Sequence, residues 1–360
     1  MAGEQPQDDI VLLLDGVRYA GWTQLSVRRA LDTVHGEFSL SLASKERTDA
    51  AQWPLRAGAE CMLLAGSDAA GFQTLITGYI DRLSATLADT VHAITVSGRD
   101  RTADLVDCSA VHSPGSWRNV PLRKIVEDLV KPFGITVQIT GDAGPNIPQF
   151  ALQQGEAAWS AIERLLKFRG LIGWTQSNGS LLIGQPAKGA VIARLAEGEN
   201  LLEISAEHDV TERFSEYVVK GQASGSDARN GEAVTLIGAK AKDAAVGRYR
   251  PLIVIAEEQS DRASAQKRAD WEANTRAARS QPGTARLQGF RDPKGNLWRP
   301  DTRVEVFAPS AYLSGEMLIS GVTFERSNDA GTTSTLQLER PEAWTLLPVP
   351  AGSSTSQVGA

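Results

Sequence analysis

The chain has 360 residues, of which 42% are hydrophobic and 22% charged, and its formal net charge is −6. That length allows two or three domains, each able to bury its own core. Its Lys and Arg are scattered singly, which argues against a nucleic-acid-binding surface with a basic stripe. An acidic protein can still line a passage that DNA slides through, because repulsion discourages sticking. Two cysteines, Cys61 and Cys108, are too few for a disulfide framework or a zinc site. Both are expected to be buried free thiols.

The polar start "MAGEQPQDDI" has neither a basic nor an apolar region, so a secretory signal is not expected. No apolar run approaches the roughly 18 residues of a membrane span. The chain is expected to stay in the cytosol unless another machine carries it out.

"IVLLLDGVRYAGW" then reads as strand, Asp15-Gly16 turn, strand, since Gly accepts positive φ at no steric cost. "LSVRR" and "FSLSLA" alternate with period two. "AECMLLAG", "FQTLITGYIDRLSATL" and, after a turn at Ala88-Asp89-Thr90, "VHAITVSG" continue the β pattern. The first hundred residues are thus predicted to be mostly antiparallel strands.

"VSGRDRTADLVDCSA" closes this stretch with alternating charges of both signs. Gly98 is expected to turn the chain, and Asp100 or Thr102 to cap a short helix carrying Leu105 and Val106. Asp100 and Asp104 fall where a helix favours negative charge, close enough for Arg99 and Arg101 to pair with them. A catalytic loop is the competing reading, but neither a histidine nor a third catalytic residue type lies nearby.

The period then changes. "NVPLRKIVEDLVKPFG" places Leu122, Ile125, Val126, Leu129, Val130 and Phe133 on one helical face, with Asn119 as cap, Pro121 in the first turn and Gly134 at the end. "ITVQIT" is a strand, and "GEAAWSAIERLLKFRG" is a second helix. "LIGWTQSNGSLLIG" is a hairpin whose Asn178-Gly179 suits a two-residue type I′ turn. Residues 117 to 186 therefore form a compact αβαββ unit.

β character returns at "AVIARL", "NLLEISAEHD" and "RFSEYVVKGQ". A glycine-rich polar loop, "ASGSDARNGEA", follows. "SDRASAQKRADWEANTRAARSQPG" is a charged helix capped by Ser260 or Asp261, with Arg276 and Arg279 suiting its C-terminal dipole and Pro282-Gly283 stopping it. The remainder to about residue 345 is β, and "PAGSSTSQVGA" is a disordered tail by composition.

Two distant segments resemble each other. "LRAGAECMLL" precedes "TLITGYIDRL", and "WRPDTRVEVF" precedes "MLISGVTFER"; Arg56 to Gly78 and Arg299 to Gly321 each span 22 residues. Upstream, Leu25, Val27 and Phe38 match Leu202, Ile204 and Phe214. Any two antiparallel hairpins share alternation and a central glycine; the alternative is a duplicated β-barrel with the αβαββ unit between its copies. A duplicated barrel suits an oligomerisation device, whose internal copies can match a partner of twice its symmetry.

Chemistry finds little purchase. Of the four histidines, His35 and His112 lie in apparent turns, and His92 begins a strand. His208 sits between Glu207 and Asp209, but adjacent strand residues point to opposite faces and cannot converge on one ion without a bulge. No nucleophile elbow, P-loop, GxGxxG or HExxH occurs. Glu127-Asp128 and Glu257-Glu258 are sequence neighbours, not a pair facing across a cleft. No catalytic, cofactor-binding or metal-ligating residues are expected, and no cofactor.

The stretches "VSGRDRTADLVDCSA", "GWTQLSVRRALDTVHGEFSLSL" and "TLITGYIDRL" resemble the baseplate hub proteins of Mu-like contractile-tailed phages, within the late-control and tail hub family. The resemblance continues through "PLRKIVEDLVKPFGI", "GEAAWSAIERLLKFRGLIGW", "ERFSEYVVKGQ", "LWRPDTRVEVFAP" and "LISGVTFER", covering nearly the whole chain. It implies a structural, non-enzymatic homotrimer in the virion's tail baseplate, assembled in the host cytoplasm. Such a ring joins a hexameric tail tube to a trimeric spike, lets DNA through without sequence-specific binding, and has no membrane span.

The fold class expected is mainly β with α+β insertions: two related β-barrel tube-type domains plus a small αβαββ domain. Residues 1–112 form the first barrel, 113–188 the small domain, 189–345 the second barrel with a loop and helix insertion at 222–297, and 346–360 the tail. The rival readings are a tail-associated cell-wall hydrolase and the hub of a phage-derived injection device.

Overall fold

The computed structural model describes residues 8–44, 55–68, 71–88, 91–186, 189–222, 237–259, 262–327 and 331–345. The expected loop around 223–236, the turn residues Asp89 and Thr90, the caps Ser260 and Asp261, and the 346–360 tail lie outside them. The protein is mainly β. The amino-terminal strands are β1 (Asp9–Leu14), β2 (Val17–Tyr19), β3 (Gln24–Ala30), β4 (Glu37–Ser44), β5 (Glu60–Ser67), β6 (Gly71–Ala88) and β7 (Val91–Asp100). Asp15 (φ 51°) and Gly16 (φ 78°) make the two-residue turn that pairs Leu14 with Val17, as the Asp-Gly signal predicts.

A short helix α1 (Ala103–Asp107) leads to β8 (Ser116–Val120), α2 (Leu122–Val130), β9 (Val137–Ile139), β10 (Ile147–Ala151), α3 (Ala158–Arg169), β11 (Ile172–Thr175) and β12 (Leu181–Gly184). The αβαββ reading thus misses β8 and β10, which pair with each other, while β11, β12 and β9 form a three-stranded sheet. Asn119 does not cap α2: it lies on β8 with φ 50°, and Pro121 holds the cap position. The β11–β12 turn is not type I′ either. Only Gly179 (φ 77°) is left-handed, and its N–H donates to the Gln176 carbonyl, so the turn is longer by a residue and ends in a glycine bulge. Leu122, Ile125, Val126 and Leu129 of α2 pack with Ile162, Leu165 and Leu166 of α3 in one core.

The carboxy-terminal half runs β13 (Val191–Ala196), β14 (Glu203–Ala206), β15 (Glu216–Gln222), β16 (Ile237–Lys242), β17 (Pro251–Gln259), α4 (Arg262–Arg279), β18 (Gly283–Gln288), β19 (Thr302–Ala308), β20 (Leu313–Ser327) and β21 (Gly331–Glu339). β16, β17 and β18 put three strands inside 222–297, where the sequence suggested only a loop and a helix, and β18 belongs to the long sheet described below. β16 forms a separate sheet with β15 and β17, against which α4 packs through Ala265 and Ala269.

The remaining strands make one sheet of 13, whose main path is β14-β18-β21-β20-β3-β4-β7-β6-β5-β1-β2, with β19 on β20 and β13 on β19. The duplication is visible in this order: β3-β4-β7-β6-β5 in the first half is matched by β14-β18-β21-β20-β19 in the second, all antiparallel, while the strands beyond differ, β1 lying antiparallel to β5 and β13 parallel to β19. The two halves share a single core, in which Phe38, Leu40 and Val96 lie in the same cluster as Leu287, Phe324 and Leu336.

Two details of the sequence-level match are corrected by the ladders. β15, and with it Phe214, is not the counterpart of β4; β18 is, because β14 pairs with β18 as β3 pairs with β4. Gly78 and Gly321 also differ in place. The first precedes the bulge at Asp81 by three residues, and the second directly follows the bulge at Ser320. Their shared role is steric. A Cβ at Gly78 would lie 2.0 Å from the Arg99 carbonyl oxygen, and one at Gly321 would lie 2.2 Å from Gln337 Oε1.

Candidate functional site

The charged stretch from Arg99 to Asp107 is a structural corner. Asp100, at the end of β7, is 2% exposed. Its carboxylate accepts from the Gly36 N–H at 2.6 Å and from the Thr102 N–H at 3.1 Å, and Thr102 Oγ1 lies 2.5 Å away. Burial pushes the Asp100 carboxyl above the usual range, against the pull of those donors and of the Arg29 guanidinium. Arg29, on β3, donates from Nη2 to the Thr175 carbonyl of β11 at 3.2 Å, while its Nε is shut off from solvent without a partner. Desolvation lowers the pKa of Arg29. Thr77 Oγ1 donates to the Ser177 carbonyl at 3.0 Å, and Leu31, Trp174 and Leu318 form a small apolar cluster beside it. Asp100 and Arg29 therefore bind the small α/β unit to the long sheet.

The expected pairing of Arg99 and Arg101 with Asp100 and Asp104 does not occur. Arg99 holds Asp81 at 2.7 Å across the ladder and Asp107 at 2.7 Å, and these bonds raise its pKa and lower that of Asp107. Arg101 pairs with Glu60. Thr102 takes the cap position of α1, but its side chain does not bond the helix. Asp81 and Glu60 are 18 and 41 residues upstream, beyond what local spacing reveals, whereas Asp107 is eight residues downstream in the same stretch.

The histidines are spread apart. His112 stacks on Trp117 at 4.6 Å, with Nε2 3.7 Å from Asp128. His208 lies beyond β14, its ring edge-on to Tyr312 at 6.4 Å. His35 is in a bend and His92 is on β7. Among the described residues no three His, Cys, Asp or Glu side chains group to hold a metal ion. No helix among them is long and apolar enough to cross a membrane. Both cysteines are free. Cys61 is buried, which pushes its thiol up to about 12, but Cys108 is exposed, against expectation.

The surface with the most consistent character is one face of the long sheet. Alternation sends Val27, Phe38, Leu40, Val96, Phe324 and Leu336 into the core, so their neighbours line the other face. Following one row across the ladders gives Gln288, Thr333, Glu325, Ser26, Ser39, Ser97 and Arg82. The next row gives Arg286, Thr335, Thr323, Arg28, Glu37 and Arg99.

This face is hydroxyl-rich, and three of its four arginines have acids close by, Arg82 having no described ion-pair partner. Arg286 meets Glu203 at 3.0 Å, Arg28 meets Asp32 at 2.9 Å, and Arg99 meets Asp81. It has no uninterrupted run of positive charge. Sequence reading did not single out the face, although Ser26, Ser39, Ser41, Thr95 and Ser97 alternate visibly with apolar residues in β3, β4 and β7.

Comparison with known proteins covers most of the chain. Residues 9–100 match the N-terminal domain of the Mu phage baseplate assembly protein GpP-like family. Residues 102–185 match the second domain of gp44-like baseplate hub proteins. Residues 213–271 match the third domain of NMB1110-like tail proteins, and residues 261–347 match the fourth domain of GpP. The baseplate hub protein gp44 of Escherichia phage Mu is 35% identical over 348 residues, 94% of this chain and 89% of the relative.

Among solved structures, the 43 kDa tail protein of prophage MuSo2 from Shewanella oneidensis is 32% identical with a TM-score of 0.80. The match covers 93% of this chain and 99% of that one. The tail protein from Neisseria meningitidis MC58 shares the fold at 21% identity and a TM-score of 0.75, over 94% and 98% of the two chains. A type VI secretion component, the E. coli c3393 protein, shares it more distantly, at 13% identity and a TM-score of 0.57, over 94% and 79%.

Proposed function

Because the chain belongs to the baseplate hub protein family of Mu-like phage tails, we propose that three copies form a ring at the tail's centre. The ring joins a hexameric tail tube on one side to a trimeric spike on the other, and DNA leaves through it. The observation that carries this reading is the duplicated strand order. β3-β4-β7-β6-β5 and β14-β18-β21-β20-β19 give each copy two like units, so three copies present six to a sixfold partner while keeping threefold symmetry for the spike.

In this reading residues 1–112 and 189–345 are the two tube-type barrel domains. Residues 113–188 are a peripheral domain held by Asp100 and Arg29. Within one chain the described ladders leave the long sheet open, so the barrel is completed by assembly. The hydroxyl-rich face lines the channel. Its interleaved acids give DNA no phosphate-neutralising track, which suits passage better than binding. The role is structural, in the virion's tail baseplate, after assembly in the host cytoplasm.

Light scattering behind a sizing column tests the ring. One chain is 38.6 kDa, and the expected particle is three times that mass. A stable monomer at high concentration, or tight DNA retention at physiological salt, contradicts the reading.

A further inference from the structure

A cavity of about 410 Å³ lies where three parts of the chain meet. Arg29 of β3 and Gln73 of β6 line it from the first repeat, and Ser177 lines it from the β11–β12 turn of the small unit. The loop between β18 and β19 of the second repeat supplies the remaining wall, with Lys294 and Arg299 on it. That volume falls in the range of pockets that hold small molecules.

The loop is held in shape by its own backbone. Asp292, buried at its start, accepts from the Lys294 N–H at 2.8 Å and the Asn296 N–H at 2.9 Å. Gly295 takes the left-handed conformation (φ 83°) that lets its N–H return to the Asp292 carbonyl. Leu297 and Trp298 then anchor the returning chain in the large core. Lys294 and Arg299 are left exposed on a fixed support.

The wall holds more positive charge and more donors than its acceptors match. Arg29, Lys294 and Arg299 face a single lining acid, Asp292, which the loop's own N–H groups already occupy. Neither Lys294 nor Arg299 has a described side-chain bond or ion pair. Arg29 Nε and Trp298 Nε1, in two further lining residues, are closed off from water without an acceptor. Desolvation lowers the pKa of Arg29; Asp100 opposes this, and the nearby charge of Arg299 adds to it. An anion seated among these groups relieves that repulsion.

We propose that this cavity binds a phosphate-type oxyanion, either free or as the ester group of a small molecule, between Lys294, Arg299 and Arg29. The guanidinium of Arg299 offers a planar pair of donors suited to two oxygens, and the Lys294 ammonium a point charge. Thr74, Ser177 and Asn296 give the body of an ester hydrogen-bonding partners on the same wall. Such a ligand touches both repeats and the small unit at once. It therefore favours the folded junction over the open one by mass action. The site lies within one chain and does not depend on the ring.

Titration calorimetry on the full chain tests this with inorganic phosphate, AMP and adenosine, each in chloride buffer of constant ionic strength. Saturable binding at one site per chain is expected for phosphate or AMP and none for adenosine. Equal affinity for the two anions identifies the free ion as the ligand, and tighter binding of AMP identifies an ester. Combining Lys294→Gln with Arg299→Gln is expected to weaken binding by about tenfold for each cation removed. Both side chains are exposed, so the melting temperature without ligand should not change. Combining Arg118→Gln with Lys131→Gln removes the same charge from the small unit outside the cavity and is expected to leave binding intact. The site is overturned if neither anion saturates at millimolar concentration, or if adenosine binds as well as AMP. Equal affinities of the two double variants also overturn it.

Discussion

The two copies of the repeat differ most at their matching strands β20 and β6. β20 is flanked on both sides within the chain, and Phe324 and Val322 on it are fully buried. β6 has the same bulge and the same inner neighbour, but its counterpart residues face solvent. A duplicated unit thus shows the same strand once flanked on both sides and once with an open edge. The copies also differ where their inner strands end. β7 finishes at the buried Asp100, which holds the small domain, and β21 is followed by Arg340, whose Nη2 donates to the Ser314 carbonyl of β20 at 2.9 Å.

The largest expected effect breaks the comparison directly. Phe324→Ala removes a fully buried ring at the internal joint and is expected to cost about 3–5 kcal/mol. Leu83→Ala at the matching position is expected to change monomer stability by less than about 1 kcal/mol. Urea unfolding of the two variants checks this, and equal losses would mean the positions are not counterparts in burial.

Asp100→Ala is expected to cost about 3 kcal/mol, because it leaves the Gly36 N–H without its acceptor and removes the negative charge that offsets the buried Arg29 guanidinium. The same denaturation series measures it, and proteolysis between β7 and β8 should speed up as the small domain loosens.

A smaller effect belongs to the sheet that only the second copy carries. Arg213 holds Asp243 at 2.7 Å, and that hydrogen bond keeps the Asp243 carboxyl below its ordinary range. The folded pKa is the lower one, so the stabilisation is complete above the unfolded value near 3.8 and is lost as pH falls through the folded value. Asp243→Asn should flatten this part of the acid limb in melting temperature against pH, and an unchanged limb would exclude the pair.

The smallest effect is chemical. Near pH 8, Cys108 should react promptly with a thiol reagent, whereas Cys61, pushed up to about 12 by burial, should react only on unfolding. Counting thiols with time in native and denatured protein checks it.

Local signals were legible where the local chain decides. Asp15-Gly16 specifies its turn because both residues accept positive φ, and the apolar spacing of Leu122 to Val130 specifies α2. Asn178-Gly179 carries the same signal as Asp15-Gly16, yet the ladder ends at Thr175 and Leu181, so a longer turn forms. The duplication was visible through the alternation of β5–β6 and β19–β20. The partner of β14 was not, since β18 lies beyond a whole inserted sheet and helix.

Ion pairs were the least legible feature. Arg99 and Arg101 choose Asp81 and Glu60 because β6 and β5 run beside them, a matter of register rather than sequence distance. The polar face was written in the serines of β3 and β4. Its meaning needed the whole sheet, because only there do the rows from Gln288 to Arg82 line up.

Cryo-electron microscopy of the purified particle, viewed down its axis, tests the central claim most directly. The account predicts a threefold ring whose inner wall shows six similar lobes, two from each copy. A ring of any other copy number, or one without the six similar lobes, would contradict it.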